Sequence, residues 1–302
     1  MTTGFDHAAS AGTWTLGDRV VNRIGFGAMR LPQTGEAFAA GARPRGREQA
    51  VAVLRRAVAL GVNHIDTAAF YFSSTRSANE LINHALQPYP EDLVIATKVG
   101  PARDTSGAWM PMAEPGQLRG QVEENLRQLG LDQLDLVNLR VGGPGSIAEH
   151  FGALAELRDA GLIRNLGLSN VRPEHFDEAA AIAPVVCVQN SYGLGYRAKQ
   201  DEFVASCRDR GIAFVPFFAI AGAGREAGAS GAQPDAVTAI AHAHGVSTAQ
   251  VRLAWALQRW PHLLAIPGTG DPDHLVDNIS AGTLHLSPEE MQTLNNLHQT
   301  SP

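Results

Sequence analysis

Four residues of this 302-residue chain, Asp66, Tyr71, Lys98 and Arg140, have the chemistry of a proton-transfer site. Each stands at or just beyond the end of a short apolar run. Asp66 closes "VNHID" and Tyr71 follows five residues on, Lys98 closes "LVIATK", and Arg140 follows "LDLVNL". A free phenol, with a pKa of about 10, is a poor acid near neutrality. A neighbouring ammonium stabilises the phenolate, and each unit of lowering is worth about 1.36 kcal/mol. A carboxylate beside the lysine keeps the amine charged and fixes its direction. An Asp–Tyr–Lys set therefore makes a tyrosine general acid. Arg140 reads in two ways. It is a solvated loop cation, or it is a permanent charge beside Tyr71 and Lys98 that donates to a developing alkoxide and favours tyrosinate.

These residues meet only if their runs lie side by side. Eight apolar, β-branched runs recur along the chain: "RIGFGA", "VNHID", "LVIATK", "LDLVNL", "IRNLGLS", "VVCVQN", "IAFVPF" and "LLAIPG". Stretches of helical period separate them, as in "HFGALAELRDAG", and Gly61, Gly161 and Gly211 read as helix stops. Continuously apolar strands alternating with helices predict parallel pairing with covered faces. Eight such units predict a (β/α)8 TIM barrel, one domain over residues 1–302, with its chemistry on the rim where strands end. The other strands bring Ser169 and Asn170, Gln189 and Asn190, Phe217 and Phe218, and Gly268 and Thr269 to that rim. An N-terminal hairpin turning at Gly17–Asp18 is expected to plug the floor, and extra helices follow the eighth strand, the last capped by Ser287. Segments 219–233 and 32–46 read as loops.

Composition narrows the function classes. The formal net charge is −6 and no Lys/Arg block stands out, which argues against nucleic acid or an anionic membrane as partner. Cys187 and Cys207 are too few for a disulfide framework and lack zinc spacing, so no metal is expected, and Cys187 in "VVCVQ" reads as a core thiol. The start, "MTTGFDHAASAG", has no secretory pattern, and no run approaches the ~18 apolar residues of a membrane span. A soluble, cytoplasmic protein acting on a small molecule is the expectation.

"GVNHIDTAAFY", "IATK", "GLIRNLGLSN", "VQN", "GIAFVPF" and "IPGTGDPDHLVDN" together resemble the aldo-keto reductases, from about Trp14 to Leu297. That resemblance implies a barrel transferring hydride from NADPH to an aldehyde or ketone, with NADH as the alternative cofactor. It implies Tyr71 as proton donor, Lys98 tuning it and Asp66 pairing with Lys98. It gives Ser169, Asn170 and Gln189 to the nicotinamide carboxamide and Phe217 to a stack on the ring, with Asp66, Ala28, Met29 and Phe218 also cofactor-binding. Phe217 reads equally well as a core residue at a strand end. Ile220 and Gly222 fall over the pyrophosphate, and Gly268, Thr269, His274, Asp277 and Asn278 on the adenosine side. Phe70, Phe72, Trp109 and Met110 are candidate substrate walls.

Two departures stand out. The family's fourth catalytic residue is a His where this chain has Arg140. The family's usual Lys or Arg beside the 2′-phosphate is missing from "GTGDPDH", so no fixed cation is expected there. "VNLR", "VCVQN" and "VPFF" are similar to the bacterial pyridoxal reductase branch, which implies reduction of pyridoxal to pyridoxine. Three other readings stay open: a reductase of another carbonyl, a Schiff-base enzyme using Lys98, and a nucleotide-binding regulatory protein.

Overall fold

The chain was analysed as a computed structural model, which describes residues 7–35, 37–38, 42–194, 200–217, 219–220 and 234–297. Thr13–Leu16 (β1) and Arg19–Asn22 (β2) pair antiparallel. Gly17 takes a φ of 67° at the turn, and a side chain there would collide with Asn165. Arg164 and Asn165 hold the turn through Asp18 at 2.8 and 3.1 Å. Leu16 and Val21 then face inward and join Val94, Ala96, Leu136, Cys187, Ala213, Val215 and Leu264 in one apolar layer. The expected plug is present, and it closes the barrel floor.

Seven parallel strands follow in spatial order: Phe26–Gly27 (β3), His64–Asp66 (β6), Val94–Val99 (β7), Leu134–Arg140 (β8), Ile163–Ser169 (β9), Val185–Gln189 (β10) and Ala213–Phe214 (β11). Every residue of β7 is buried, as a strand covered on both faces requires. The eighth run forms only single bridges, Leu263 to Phe214 and Ala265 to Ile24. Its backbone still bonds both neighbours: Leu264 N donates to Phe214 O at 2.9 Å and Ala265 N to Arg23 O at 2.8 Å. Pro261 and Pro267, which lack N–H donors, confine it to this short length. The barrel closes through these bonds.

Helices Arg47–Ala59 (α1), Ala78–Leu86 (α2), Leu118–Leu129 (α3), Ala148–Asp159 (α4), Pro173–Ala180 (α5), Asp201–Asp209 (α6) and Asp235–His244 (α7) match the periodic stretches. Gly61, Gly161 and Gly211 stand at the predicted stops with left-handed φ of 85°, 82° and 70°. Thr248–Arg259 (α8) was not expected. Val251, Leu253, Ala254, Trp255 and Ala256 are all buried, and so are Gln250 and Arg252, so the helix is sheltered nearly all round while polar residues interrupt its apolar face. Its readable signal was the capping box of Ser247 and Gln250. Pro272–Ser280 (α9) and Pro288–Asn296 (α10) complete the tail, and Ser287 caps α10 as expected. Segment 32–46 is more than loop, because Gln33–Thr34 (β4) pairs with Arg43–Pro44 (β5). Most of 219–233 lies outside the described residues. Among the described residues, no helix is long and apolar enough to cross a membrane.

Candidate active site

Register fixes what meets at the rim. Asp66 ends β6, Lys98 lies next to last on β7 opposite Asn138, and Arg140 pairs with Ser169 across β8 and β9. Tyr71 arrives on a turn in which its N–H bonds Ala68 O at 3.0 Å, and Ala78 N bonds Tyr71 O at 2.9 Å. Lys98 Nζ donates to Asp66 Oδ1 at 2.5 Å and to Thr67 O at 3.0 Å, and lies 4.8 Å from the centre of the Tyr71 ring. Both members of this ion pair are buried.

A continuous hydrogen-bond chain ties Arg140 to the pair. Arg140 Nη1 donates to Ser169 Oγ at 3.2 Å, and Ser169 Oγ donates to Gln189 Oε1 at 3.3 Å. Gln189 Nε2 then donates to Asp66 Oδ2 at 2.7 Å. The guanidinium also lies over the Phe217 ring at 5.3 Å. Arg140 is thus a rim residue and not a loop cation.

The titration of Tyr71 corrects the expectation. Burial raises the phenol above its ordinary value, Lys98 and Arg140 pull it down, and the net direction is up. Tyr71 is only 7% exposed, so desolvation of the phenolate outweighs both cations. Burial also disfavours the Lys98 ammonium, but Asp66 and Tyr71 more than offset it and its pKa stands above normal.

These groups open into one cleft of about 980 Å³. Of the expected residues, Met29, Asp66, Phe70, Tyr71, Lys98, Trp109, Arg140, Asn170, Gln189, Phe217, Ile220, Gly268, Thr269, His274, Asp277 and Asn278 line it. Asn170 takes a left-handed φ of 59°, and its Nδ2 donates to Val141 O at 2.8 Å. Ser169 and Ala28 are fully buried and do not line the cleft, Ser169 acting from beneath through Gln189 and Arg140. Phe72 turns away from the lining and stacks with Arg103 at 4.6 Å, and Met110 is half-exposed beyond the lip. Phe218 and Gly222 lie outside the described residues.

Several lining residues were missed. Phe38 lies 5.8 Å from Tyr71 and 5.2 Å from Trp109, ring centre to ring centre, on a backbone with φ of 67°. Non-glycine residues rarely adopt that conformation, so Phe38 is held where the surroundings demand it. The start of α8 also lines the cleft. At the end away from Tyr71, Arg30 and Arg45 supply positive charge that the sequence reading assigned to no residue. Their signal was obscured, because both come from the segment ahead of α1 and not from the run after the eighth strand.

Residues 23–299 match the aldo/keto reductase family. The chain belongs to that family. Pyridoxine 4-dehydrogenase of Escherichia coli is 44% identical over 295 residues, covering 95% of this chain and 99% of the relative. An uncharacterised oxidoreductase of Schizosaccharomyces pombe is 38% identical, covering 93% and 88%. Among solved structures, an aldo-keto reductase from Klebsiella pneumoniae in complex with NADPH superposes with a TM-score of 0.77 at 29% identity, covering 95% and 94%. The chain is accordingly an oxidoreductase on an aldo/keto reductase barrel. Within this aldo/keto reductase, Asp66, Tyr71 and Lys98 fall together at one end of the cleft, with Arg140 as the fourth group.

Proposed function

We propose that this aldo/keto reductase, acting as a single barrel domain, reduces an aldehyde or ketone to its alcohol with NADPH, Tyr71 donating the proton. The observation that carries this reading is the buried Asp66–Lys98 pair against the Tyr71 ring, at the end of the cleft that also holds Arg140. The residues fit a dinucleotide: polar side chains lie at both ends of one cleft, and a buried, unpartnered Arg45 Nε marks the far end. The Klebsiella relative crystallised with NADPH supports the same cofactor. Bound NADPH supplies the hydride. Asn170 and Gln189, braced by Ser169, would hold its carboxamide, with Phe217 beside the ring. Gly268, Thr269, His274, Asp277 and Asn278 take the adenosine half.

The carbonyl carbon gains the hydride and its oxygen takes the Tyr71 proton. Lys98 stabilises the tyrosinate left behind, which is reprotonated from solvent. Arg140 donates to the oxygen as charge develops on it, a role for which a permanently charged planar donor is suited. Lys98 itself is a poor nucleophile, since it is buried, ion-paired and held charged, and this disfavours the Schiff-base reading.

For the substrate we favour pyridoxal, reduced to pyridoxine. The support is the 44% identity to a pyridoxine 4-dehydrogenase and the aromatic walls Phe38, Phe70 and Trp109, which suit a flat ring. Cytoplasm is the proposed location. The test is NADPH consumption with pyridoxal first, then a panel of aldehydes and ketones. Turnover of pyridoxal is expected, with Tyr71→Phe lowering kcat by roughly 10²–10⁴ while NADPH still binds. NADPH binding with no turnover of any carbonyl overturns the reading. Turnover confined to other carbonyls overturns only the choice of pyridoxal.

A further inference from the structure

The end of the cleft away from Tyr71 is assembled from two segments remote in sequence. One is 268–274, after the closing strand, and the other is Arg45, just ahead of α1. Arg45 Nη1 donates to Gly270 O at 3.2 Å and Nη2 to Gln33 O at 3.1 Å, while its buried Nε has no partner. The guanidinium lies directly on Gly270, where an added Cβ would come within 2.0 Å of Cζ. Gln49 Nε2 donates to the same carbonyl at 2.9 Å, tying the segment to α1. Arg30 brings a second positive charge close enough to oppose that of Arg45, although it also donates to Gly35 O at 2.8 Å.

Asp271, a carboxylate that acts on Arg45, is also engaged by backbone N–H groups. It caps α9, accepting from Asp273 N at 2.8 Å and His274 N at 3.3 Å. The buried, unpartnered Nε of Arg45, with Arg30 near enough to add positive charge, favours an added anion at this end of the cleft.

With its reacting ring at Tyr71, a dinucleotide has only this end of the cleft for its adenosine. NADH offers a neutral 2′-hydroxyl there and NADPH a 2′-phosphate. An arginine discriminates between them, because its planar fork of donors matches phosphate oxygens. We infer that Arg45, supported by Arg30 and seated on Gly270, selects NADPH over NADH by binding the 2′-phosphate. The selecting cation thus reaches in from ahead of the first helix, and 268–274 provides the platform. This inference rests on the reading of the cleft as a dinucleotide site.

The experiment is fluorescence titration of NADPH and NADH against the wild type, Arg45→Ala and Gly270→Ala. Wild type is expected to bind NADPH more tightly. Arg45→Ala should weaken NADPH by roughly 10–100-fold, the range of a hydrogen bond to a charged group, and NADH by less than about threefold. Gly270→Ala, which displaces the guanidinium without removing it, should weaken NADPH selectively too. It decides the matter if Arg45→Ala does not fold. The slope of log affinity against log salt should become shallower for NADPH alone. Equal losses for both nucleotides, or no loss for either, overturn the role of Arg45. A wild type that binds neither nucleotide overturns the dinucleotide reading itself.

Discussion

At the scale of single residues, the proposed catalytic end is governed by one carboxylate that takes donors from both sides. Lys98 reaches Asp66 directly and Arg140 reaches it through Ser169 and Gln189. Removing one partner from a buried ion pair leaves an uncompensated charge, at a cost of about 3–5 kcal/mol. Lys98→Met should therefore lower unfolding free energy by about that amount in a urea titration, and Asp66→Asn should do the same. Arg140 is partly exposed and, among the described residues, pairs with no carboxylate, so its loss should show in chemistry more than in stability. Arg140→Ala is expected to lower kcat/KM by roughly 10²–10³, the range for one oxyanion donor. Stopped-flow hydride transfer checks this, and unchanged rates would return Arg140 to a structural role. Asp66, Tyr71, Lys98 and Arg140 were legible because each ends or follows a strand, where spacing alone assigns a place on the rim. Phe38, Arg30 and Arg45 were not, because they lie in or beside a segment that sequence marks only as loop. The direction of the Tyr71 shift was also illegible, since it depends on how deeply the ring is buried.

Among the elements, the hairpin and the rim divide the labour of the barrel. Leu16 is 3% exposed and lies in the floor layer, across the barrel from the strand ends that carry Lys98 and Arg140. Leu16→Ala should cost about 2–5 kcal/mol by leaving a cavity, while kcat of the folded enzyme stays within about twofold, since floor residues serve stability and rim residues chemistry. Thermal melts paired with initial rates separate the two effects. Elements of one clean period were readable: the glycine-stopped helices, and the hairpin with its turn at Gly17. The helix that escaped, α8, is buried on nearly all sides, with Gln250 and Arg252 interrupting its apolar face. The closing strand was legible as the eighth run, but held between prolines it is reduced to two bridges.

For the whole molecule, acid is the expected weakness. His64 is buried in β6, and burial, only partly offset by the Asn22 backbone, pulls its pKa down to about 4. Burial likewise lowers His262 to about 4. An unfolded histidine titrates at about 6.5, so between the two values the unfolded chain binds more protons. Stability is therefore full above about pH 6.5 and falls as pH drops toward 4, by about 3 kcal/mol for His64 alone. Urea midpoints across that window should fall for the wild type and fall less for His64→Leu, and parallel slopes would refute the assignment. The apolar floor has one more consequence, for traffic. Leu16, Val21 and their neighbours stopper the far side, so among the described residues Tyr71 faces the cleft at the rim and not the floor. On the proposed reading, nucleotide, carbonyl, alcohol and the proton that restores the phenol would share that cleft. On that reading, product held in the cleft would delay recharging of the acid until the alcohol has left.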